Sequence, residues 1–286
     1  MTRFFKVSGS GNDFLALAEP AETPAADQIR AWCHRGVSLG ADGLFVIRRE
    51  EDAEDATVGM DYYNSDGLPA DLCLNGTRCA AQLAFHLGWL EGSGTVRTAA
   101  GKVAARRLDP FRVSLEVPPP AEPRETRLEV EGQRYTGWHV LVGVPHFVLP
   151  WPEELGDLGR VPVRELGRAL RFHPGLGAPG ANVNFVRFPA RHRLEIRTYE
   201  RGVEDETLSC GTGVLAGAAV AVALGKGALP LTVLTHSGFE LEVGAGNAGG
   251  GGAWTLTGDA RIVASGDLLP GAGRAPSPPH WAGARG

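Results

Sequence analysis

Short apolar runs, separated by segments rich in glycine and proline, make up most of this chain, which is the pattern of a strand-rich protein with many turns. Arg112–Val117 alternates apolar and polar residues and is predicted to be a strand, as is the segment 231–235. Residues 76–90 and 211–224 differ, because they are rich in Ala and Leu, lack proline and are long enough for about four helical turns. We therefore predict two principal buried helices among many strands.

The two predicted helices belong to an internal repeat. In each half a tyrosine-containing segment precedes a cysteine, which is followed by the helix, by a strand and by a glycine that opens another strand. Cys73 lies 28 residues before Gly101, and Cys210 lies 28 residues before Gly238. Because order and spacing agree together, we infer two similar halves, each with one cysteine at the start of its helix.

The segment between the repeats predicts where two domains meet. Three prolines at 118–120, followed by a charged stretch to Arg134, indicate a stiff connection between the halves. The chain is therefore divided into three parts: an N-terminal domain at 1–118, a C-terminal domain at 119–270 whose last strand, near 255–270, returns to the first domain, and a disordered tail at 271–286.

Composition adds limits on location and partners. The chain has 286 residues, of which 43% are hydrophobic and 21% charged, with a formal net charge of −5. A mildly acidic chain has no electrostatic reason to bind phosphate backbones, so we expect no nucleic acid partner. It has neither a signal-peptide core nor an uninterrupted apolar run of about 18 residues, so we expect a cytoplasmic protein with no membrane contact.

The four cysteines are Cys33, Cys73, Cys79 and Cys210, too few for a disulfide framework. We expect Cys33 and Cys79 to be buried as small hydrophobic residues. Cys73 and Cys210 precede helices, where unpaired N–H groups and the helix dipole favour negative charge. We therefore expect each of these two thiols to ionise more readily, and the same amides to be able to hold a carboxylate.

A pair of thiols facing each other across a cleft suits the inversion of a stereocentre. One thiolate can remove a proton from one face of a carbon while the other thiol delivers a proton to the opposite face. A single base returns the proton to the face that it left. The three lysines have no pyridoxal context, so we expect no cofactor. We also expect no metal. A dry, preorganised pocket would then stabilise the negative charge that forms at the carbon.

Two other interpretations of the cysteines stay open at this point. A four-cysteine zinc site would be structural, but the sequence lacks CxxC pairs and the spacings are wide. The chain could also be a metabolite-binding protein without catalytic activity.

Several separated motifs resemble the diaminopimelate epimerase family, in order and over the chain to about residue 270. They are Lys6-x-x-Gly9-x-Gly11-Asn12-Asp13-Phe14, Asn64-Ser65-Asp66-Gly67, Cys73-x-Asn75-Gly76-x-Arg78-Cys79, Pro145-His146, Asn182-Val183-Asn184-Phe185, Tyr199-Glu200-Arg201-Gly202 and Cys210-Gly211-Thr212-Gly213. The resemblance implies that Cys73 and Cys210 are the catalytic thiols and that His146 and Glu200 orient or polarise them.

The resemblance also implies a set of substrate contacts. Backbone N–H groups would hold the carboxylate at the reacting centre, and an arginine with several asparagines would bind the distant amino-acid end. The implied substrate-binding residues are Asn12, Asn64, Leu74, Asn75, Asn182, Arg201, Gly211 and Thr212. Glu200 and Arg201 are adjacent on an apparent strand, so both side chains reach one site only if the strand ends or bulges there.

The resemblance further implies an α+β fold. Two pseudo-symmetric domains would each wrap a curved, mostly antiparallel sheet around a central helix, with the active site in the interdomain cleft. The implied activity is cofactor-independent interconversion of LL- and meso-2,6-diaminopimelate in lysine biosynthesis, acting on a small amino-acid substrate. The resemblance also suggests a homodimer.

Three positions depart from the common family pattern. Gly43 stands where that pattern has Gln, Leu74 stands where it has Gly, and Val144 stands where it often has Asn. Gly43 and Val144 cannot supply a side-chain amide, and the departures concern substrate recognition rather than the thiol pair. A racemase or epimerase of the same fold acting on another amino acid, such as histidine, is therefore the nearest alternative.

Overall fold

The computed structural model describes residues 2–50, 55–246 and 252–274. The α-helices in these ranges are α1 (Ala26–Cys33), α2 (Leu74–His86), α3 (Val163–Arg171) and α4 (Gly211–Ala223). The strands of the first half are β1 (Thr2–Gly9), β2 (Asn12–Ala18), β3 (Gly43–Arg49), β4 (Thr57–Asn64), β5 (Ser93–Thr98), β6 (Gly101–Asp109) and β7 (Arg112–Val117). The later strands are β8 (Arg124–Val130), β9 (Gln133–Val142), β10 (Val144–Pro150), β11 (Asn182–Ala190), β12 (Arg193–Glu200), β13 (Asp205–Thr207), β14 (Leu231–Leu234), β15 (Glu240–Ala245), β16 (Trp254–Asp259) and β17 (Arg261–Leu268).

Strand polarity repeats between the two halves. From β1 to β7, consecutive pairings are antiparallel, parallel, antiparallel, parallel, antiparallel and antiparallel. The second half gives the same order of pairings through β9, β10, β11, β12, β14, β15 and β16. The α+β fold with two pseudo-symmetric, mostly antiparallel sheets is confirmed.

Each sheet surrounds one helix. α2 contacts every strand from β1 to β7, and α4 contacts β9 to β12, β14 and β15. Residues around nearly the whole circumference of α2 are buried, and the long apolar run of α4 is buried in the same way. A helix surrounded by a sheet buries nearly all of its sides, which explains why Ala and Leu replace the usual amphipathic pattern. Buried polar residues of α2, such as Arg78, make hydrogen bonds instead. None of the helices in the described ranges is long and apolar enough to cross a bilayer.

The end of the chain joins the halves. β16 pairs with β15 on one side and with β7 on the other, and β17 pairs antiparallel with β1 of the first half. The sequence predicted a single last strand near 255–270, but two strands occur with Ala260 between them. The break arises because the two segments take different partners, and the Ala260 N–H bonds to the Phe111 carbonyl at 2.7 Å.

The structure differs from the sequence prediction at the end of α2 and in the charged stretch after the prolines. α2 ends at His86 rather than near residue 90, because the chain turns at Gly88, whose φ is +72°. The charged stretch after the prolines is not a linker: β8 and β9 form a hairpin within it, in which Leu128 is buried and the charges lie on the exposed positions.

The prediction of disorder from residue 271 is wrong for residues 271–273. Pro270–Gly273 form a short 3-10 helix that packs on α1, and the Ser38 hydroxyl donates to the Ala272 carbonyl at 3.1 Å. The rest of the predicted tail, residues 275–286, lies outside the described residues.

Candidate active site

Cys73 and Cys210 are the N-cap residues of the two central helices. Cys73 has φ −134° and ψ 104° before α2, and Cys210 has φ −119° and ψ 109° before α4. The Cys73 Sγ accepts a hydrogen bond from the Gly76 backbone N–H at 3.4 Å, and the Cys210 Sγ lies 3.4 Å from the Thr212 Oγ1. Both sulfurs therefore lie at helix starts, where amides lack partners inside the helix.

The two helix starts meet at one junction. A Cβ added to Gly211 would lie 3.0 Å from the Leu74 Cβ, so the first residues of α2 and α4 are in close contact. The Asn75 Nδ2 donates to the Ser209 backbone carbonyl at 3.1 Å. Because Ser209 immediately precedes Cys210, a side chain of the first half holds the cysteine segment of the second half.

The ionisation of the thiols differs from the sequence expectation. Burial raises the pKa of Cys73 to about 11, although the Gly76 amide opposes this effect. Burial likewise raises the pKa of Cys210, and the nearby Glu200 carboxylate adds to the increase at both thiols. The helix starts do favour the thiolates, but desolvation of a buried charge outweighs a partial dipole. A thiolate at this junction is therefore a strong base rather than an abundant one.

His146 is completely buried and held in one tautomer. The Thr198 hydroxyl donates to the Asn184 Oδ1 at 3.0 Å, which directs the Asn184 Nδ2 toward the His146 Nδ1 at 3.1 Å. The Nδ1 must accept this hydrogen bond, so the proton resides on Nε2. Burial lowers the pKa of His146 to about 3, so the imidazole is neutral. The Nε2 has no hydrogen-bond partner in the part of the chain that the structure describes.

Glu200 lies within electrostatic reach of both thiols. The Thr207 hydroxyl donates to the Glu200 Oε2 at 2.8 Å. Burial raises the pKa of Glu200, and its charge contributes to the raised pKa values of Cys73 and Cys210. The structure therefore brings Glu200 together with both cysteines.

Arg201 leaves the strand that carries Glu200. β12 ends at Glu200, and a turn follows in which the Glu204 N–H bonds to the Glu200 carbonyl at 2.8 Å. The Asn182 Oδ1 accepts a hydrogen bond from the Arg201 backbone N–H at 2.7 Å. The alternation of side chains along a strand therefore does not separate Glu200 from Arg201, and Asn182 fixes the turn between them.

Two predicted asparagines tie the junction together. The Asn12 Nδ2 donates to the Asp42 Oδ2 at 3.0 Å, and the Asn12 Oδ1 accepts from the Asn75 Nδ2 at 2.6 Å. The Asn75 Oδ1 accepts from the fully buried Arg78 at 2.7 Å. Asn75 uses its whole side-chain amide within the protein, since its other N–H bonds to Ser209. What Asn75 leaves for a ligand is its backbone N–H.

The remaining cysteines lie elsewhere. Cys33 belongs to a separate apolar cluster beside α1, and Cys79 lies inside α2, both buried as predicted. Burial raises the pKa of Cys33 to about 12. Across the described ranges, no three metal-ligating side chains come together.

A family model of diaminopimelate epimerase matches residues 4–120 and 138–263. The chain belongs to the diaminopimelate epimerase family. The diaminopimelate epimerase of Aquifex aeolicus is 38% identical over 254 residues, covering 84% of this chain and 88% of the relative. The diaminopimelate epimerase of Gemmatimonas aurantiaca is 35% identical over 279 residues, covering 93% of this chain and 98% of the relative.

Solved structures share the fold at lower identity. A probable proline racemase from Agrobacterium radiobacter has a TM-score of 0.68 at 17% identity, covering 96% of each chain. A phenazine biosynthesis protein from Bacillus anthracis has a TM-score of 0.69 at 14% identity, covering 94% of this chain and 99% of that chain. These likenesses concern the fold alone.

The structure locates the three departures from the diaminopimelate epimerase pattern. Leu74 is buried at the junction, packed beside Gly211. Val144 lies two residues before His146 on β10, and therefore on the same face of the strand. Gly43 pairs with Asn64, which is exposed at the end of β4.

Sequence reasoning about this diaminopimelate epimerase family member missed two residues near the site, namely Asn184 and Thr198. Asn184 had a usable signal, because Asn182 and Asn184 are two residues apart on a strand and share a face. Thr198 had none, since its role depends on a contact between strands.

Proposed function

We propose that this protein is a cofactor-independent epimerase that interconverts LL- and meso-2,6-diaminopimelate in lysine biosynthesis. The observation that carries the proposal is the meeting of two N-cap cysteines, one from each half, at a single junction of helix starts. The family relationship supplies the substrate.

The proposed reaction uses Cys73 and Cys210 as alternating base and acid. One thiolate removes the Cα proton, and the thiol on the opposite face protonates the resulting carbanion, so that configuration inverts. The raised pKa values of both thiols suit this task, because a thiolate with a high pKa is a stronger base toward a weakly acidic carbon acid.

The helix starts are proposed to bind the carboxylate at the reacting carbon. The backbone N–H groups that would do so belong to the first residues of α2 and α4: Leu74, Asn75, Gly211 and Thr212. Neutral His146 is proposed to donate its Nε2–H to the site, and Glu200 to make both thiolates more basic. Arg201, Asn12, Asn64 and Asn182 are proposed to recognise the distant amino-acid end.

Proton exchange in deuterium oxide tests the function. LL- or meso-diaminopimelate incubated with the protein should exchange its Cα proton and give a mixture of both stereoisomers, followed by NMR and chiral chromatography. Histidine serves as the alternative substrate, because Gly43 and Val144 remove two amides from the family pattern. Exchange on histidine with none on diaminopimelate would reject the substrate while keeping the reaction, and exchange on neither would reject both.

We further propose that the protein is a cytoplasmic homodimer without a nucleic acid or membrane partner. The family resemblance supports the dimer, and composition supports the location. Light scattering during size-exclusion chromatography should give twice the chain mass of 30.2 kDa. A mass of 30.2 kDa across the working concentration range would reject the dimer.

A further inference from the structure

Tyr62 occupies the space that a side chain at position 43 would need. Tyr62 on β4 pairs with Phe45 on β3, and Gly43 lies two residues before Phe45 on the same face of the sheet. A Cβ added to Gly43 would lie 2.6 Å from the Tyr63 backbone carbonyl oxygen, 2.9 Å from the Tyr62 Oη and 3.0 Å from its Cε2. The phenol therefore covers Gly43, and a larger residue there would collide with the Tyr63 backbone as well as with the Tyr62 ring.

The ring of Tyr62 is fixed from the other side by packing. It meets the Phe14 ring edge-on, with centroids 6.0 Å apart and an interplanar angle of 79°. It also packs against the apolar cluster that surrounds α2. Because the ring cannot rotate away without opening this cluster, the hydroxyl is held at the end of the sheet where α2 begins.

The start of α2 lies at that end, because the Asn75 Nδ2 in its first turn donates to the Asn12 Oδ1, and Phe14, two residues after Asn12, pairs with Gly43. The hydroxyl over Gly43 is therefore near Cys73, the N-cap residue of α2. Burial raises the pKa of Tyr62, and the charges of Cys73, Glu200 and Asp42 raise it further. The phenol therefore keeps its proton and is a hydrogen-bond donor at any pH at which the protein works. The first half thus places one neutral hydrogen-bond donor, the Tyr62 hydroxyl, near its own cysteine.

We propose that the Tyr62 hydroxyl donates a hydrogen bond to the Cys73 sulfur when that sulfur is a thiolate, and that Gly43 leaves room for the phenol. Tyr62 is then a catalytic residue for one of the two bases only. Its counterpart in the second half, Thr198, donates to Asn184 instead. The catalytic part of this proposal rests on the proposed function of Cys73, whereas the hydrogen bond itself can be tested without substrate.

Other groups around Cys73 set its ionisation and stay in place when only the hydroxyl is removed. The Gly76 and Asn75 amides and the Arg78 guanidinium favour the thiolate, and Glu200 opposes it. Asp42 faces the Tyr62 hydroxyl. A change caused by Tyr62→Phe is therefore attributable to the lost donor.

Alkylation of the free thiols provides the direct test. The rates of reaction of Cys73 and Cys210 with iodoacetamide are measured by peptide mass spectrometry from pH 7 to 9, in wild type and in Tyr62→Phe. Loss of one hydrogen bond to a charged group should slow Cys73 about tenfold at each pH, while Cys210 keeps its wild-type rate. Tyr63→Phe is the matched control, since Tyr63 packs against the separate cluster beside α1.

Two results would overturn the proposal. One is an unchanged rate for Cys73 in Tyr62→Phe, and the other is an equal fall at Cys73 and Cys210, which would indicate general disruption. Steady-state kinetics with diaminopimelate add a second readout, with kcat expected to fall about tenfold and KM to stay within about twofold. A change confined to KM would mean that the hydroxyl contacts substrate rather than sulfur. Inactivity of the wild type would reject the proposed function and leave the alkylation result intact.

Discussion

The two halves of this molecule place opposite chemistry at equivalent positions of the same backbone. Phe14 faces Gly43 across β2 and β3 as His146 faces Asn182 across β10 and β11. One strand pair further, Phe45 is opposite Tyr62 as Asn184 is opposite Thr198. The first-half set is aromatic: Phe14, Phe45 and Tyr62. The second-half set is a polar network: His146, Asn184 and Thr198.

This difference shows that two halves with the same backbone arrangement can surround their cysteines with different side-chain chemistry. The aromatic set positions one hydroxyl by packing, which needs no buried hydrogen bonds. The polar set fixes a neutral imidazole through two hydrogen bonds, and the loss of either bond would leave a buried polar group unpaired. We expect the second half to be the more sensitive to small changes of shape and pH.

Removal of either cysteine should have the largest effect and tests whether the halves are equal partners. Cys73→Ala and Cys210→Ala should each lower the rate of epimerisation about a thousandfold, because one proton-transfer group is lost. Each variant should still exchange the Cα proton of one stereoisomer in deuterium oxide without inverting it, and the two variants should prefer opposite stereoisomers. Cys33→Ala, in a separate cluster, should retain activity. Exchange of the same stereoisomer by both variants would contradict two-sided proton transfer.

Acidification should separate the polar set from the aromatic set. The pKa of His146 is lowered to about 3, so below its ordinary value of about 6.5 the unfolded chain binds a proton that the folded protein does not. The stability due to neutral His146 is therefore complete above about pH 6.5 and is lost as the pH falls toward 3. Urea unfolding from pH 4 to 7 should show that wild type loses up to about 1.4 kcal/mol per pH unit more than His146→Gln. Phe14→Leu, at the equivalent position, should keep the wild-type slope, and equal slopes in wild type and His146→Gln would contradict a buried neutral histidine.

Equivalent glycines in the first turns of α2 and α4 offer a matched pair. A Cβ at Gly213 would overlap the Asn184 Oδ1, whereas a Cβ at Gly76 would meet the flexible end of Met60 at 3.2 Å. Gly213→Ala should lower the free energy of unfolding by about 2 kcal/mol, and Gly76→Ala by less than about 1 kcal/mol. Chemical denaturation measures both values. Equal losses in the free energy of unfolding would show that the Asn184 side chain moves aside as easily as the Met60 side chain.

The smallest expected effect concerns the hydroxyl that orients Asn184. Thr198→Val removes the donor to the Asn184 Oδ1 and should lower the free energy of unfolding by about 1 kcal/mol. The same variant should lower kcat more than it changes KM, because the His146 tautomer is less firmly held. Thr136→Val, on an exposed position of β9, is the control and should change neither quantity. If Thr198→Val keeps the wild-type free energy of unfolding and kcat, Thr198 has no role in orienting Asn184.

Much of the fold could be predicted because local sequence patterns specify it. Proline-free Ala and Leu runs gave the two central helices, and the equal spacing around Cys73 and Cys210 gave the repeat. The break at Ala260 could not be predicted in the same way, because it depends on which distant strands pair with β16 and β17, and a local pattern carries no information about those partners. The end of α2 at Gly88 and the β8–β9 hairpin have local causes, but the prediction extended the helix too far and took the charges of the hairpin as a sign of a linker.

The sequence by itself determined which reactive groups the chain carries, in what order, and at which helix starts, and these fix the reaction class. The tertiary structure decided the state of those groups. Burial rather than the helix dipole sets the pKa of Cys73, Asn184 selects the tautomer of His146, and the Tyr62 phenol lies over Gly43. Desolvation and cross-strand contacts arise only when residues distant in sequence pack together, so no local pattern could specify them.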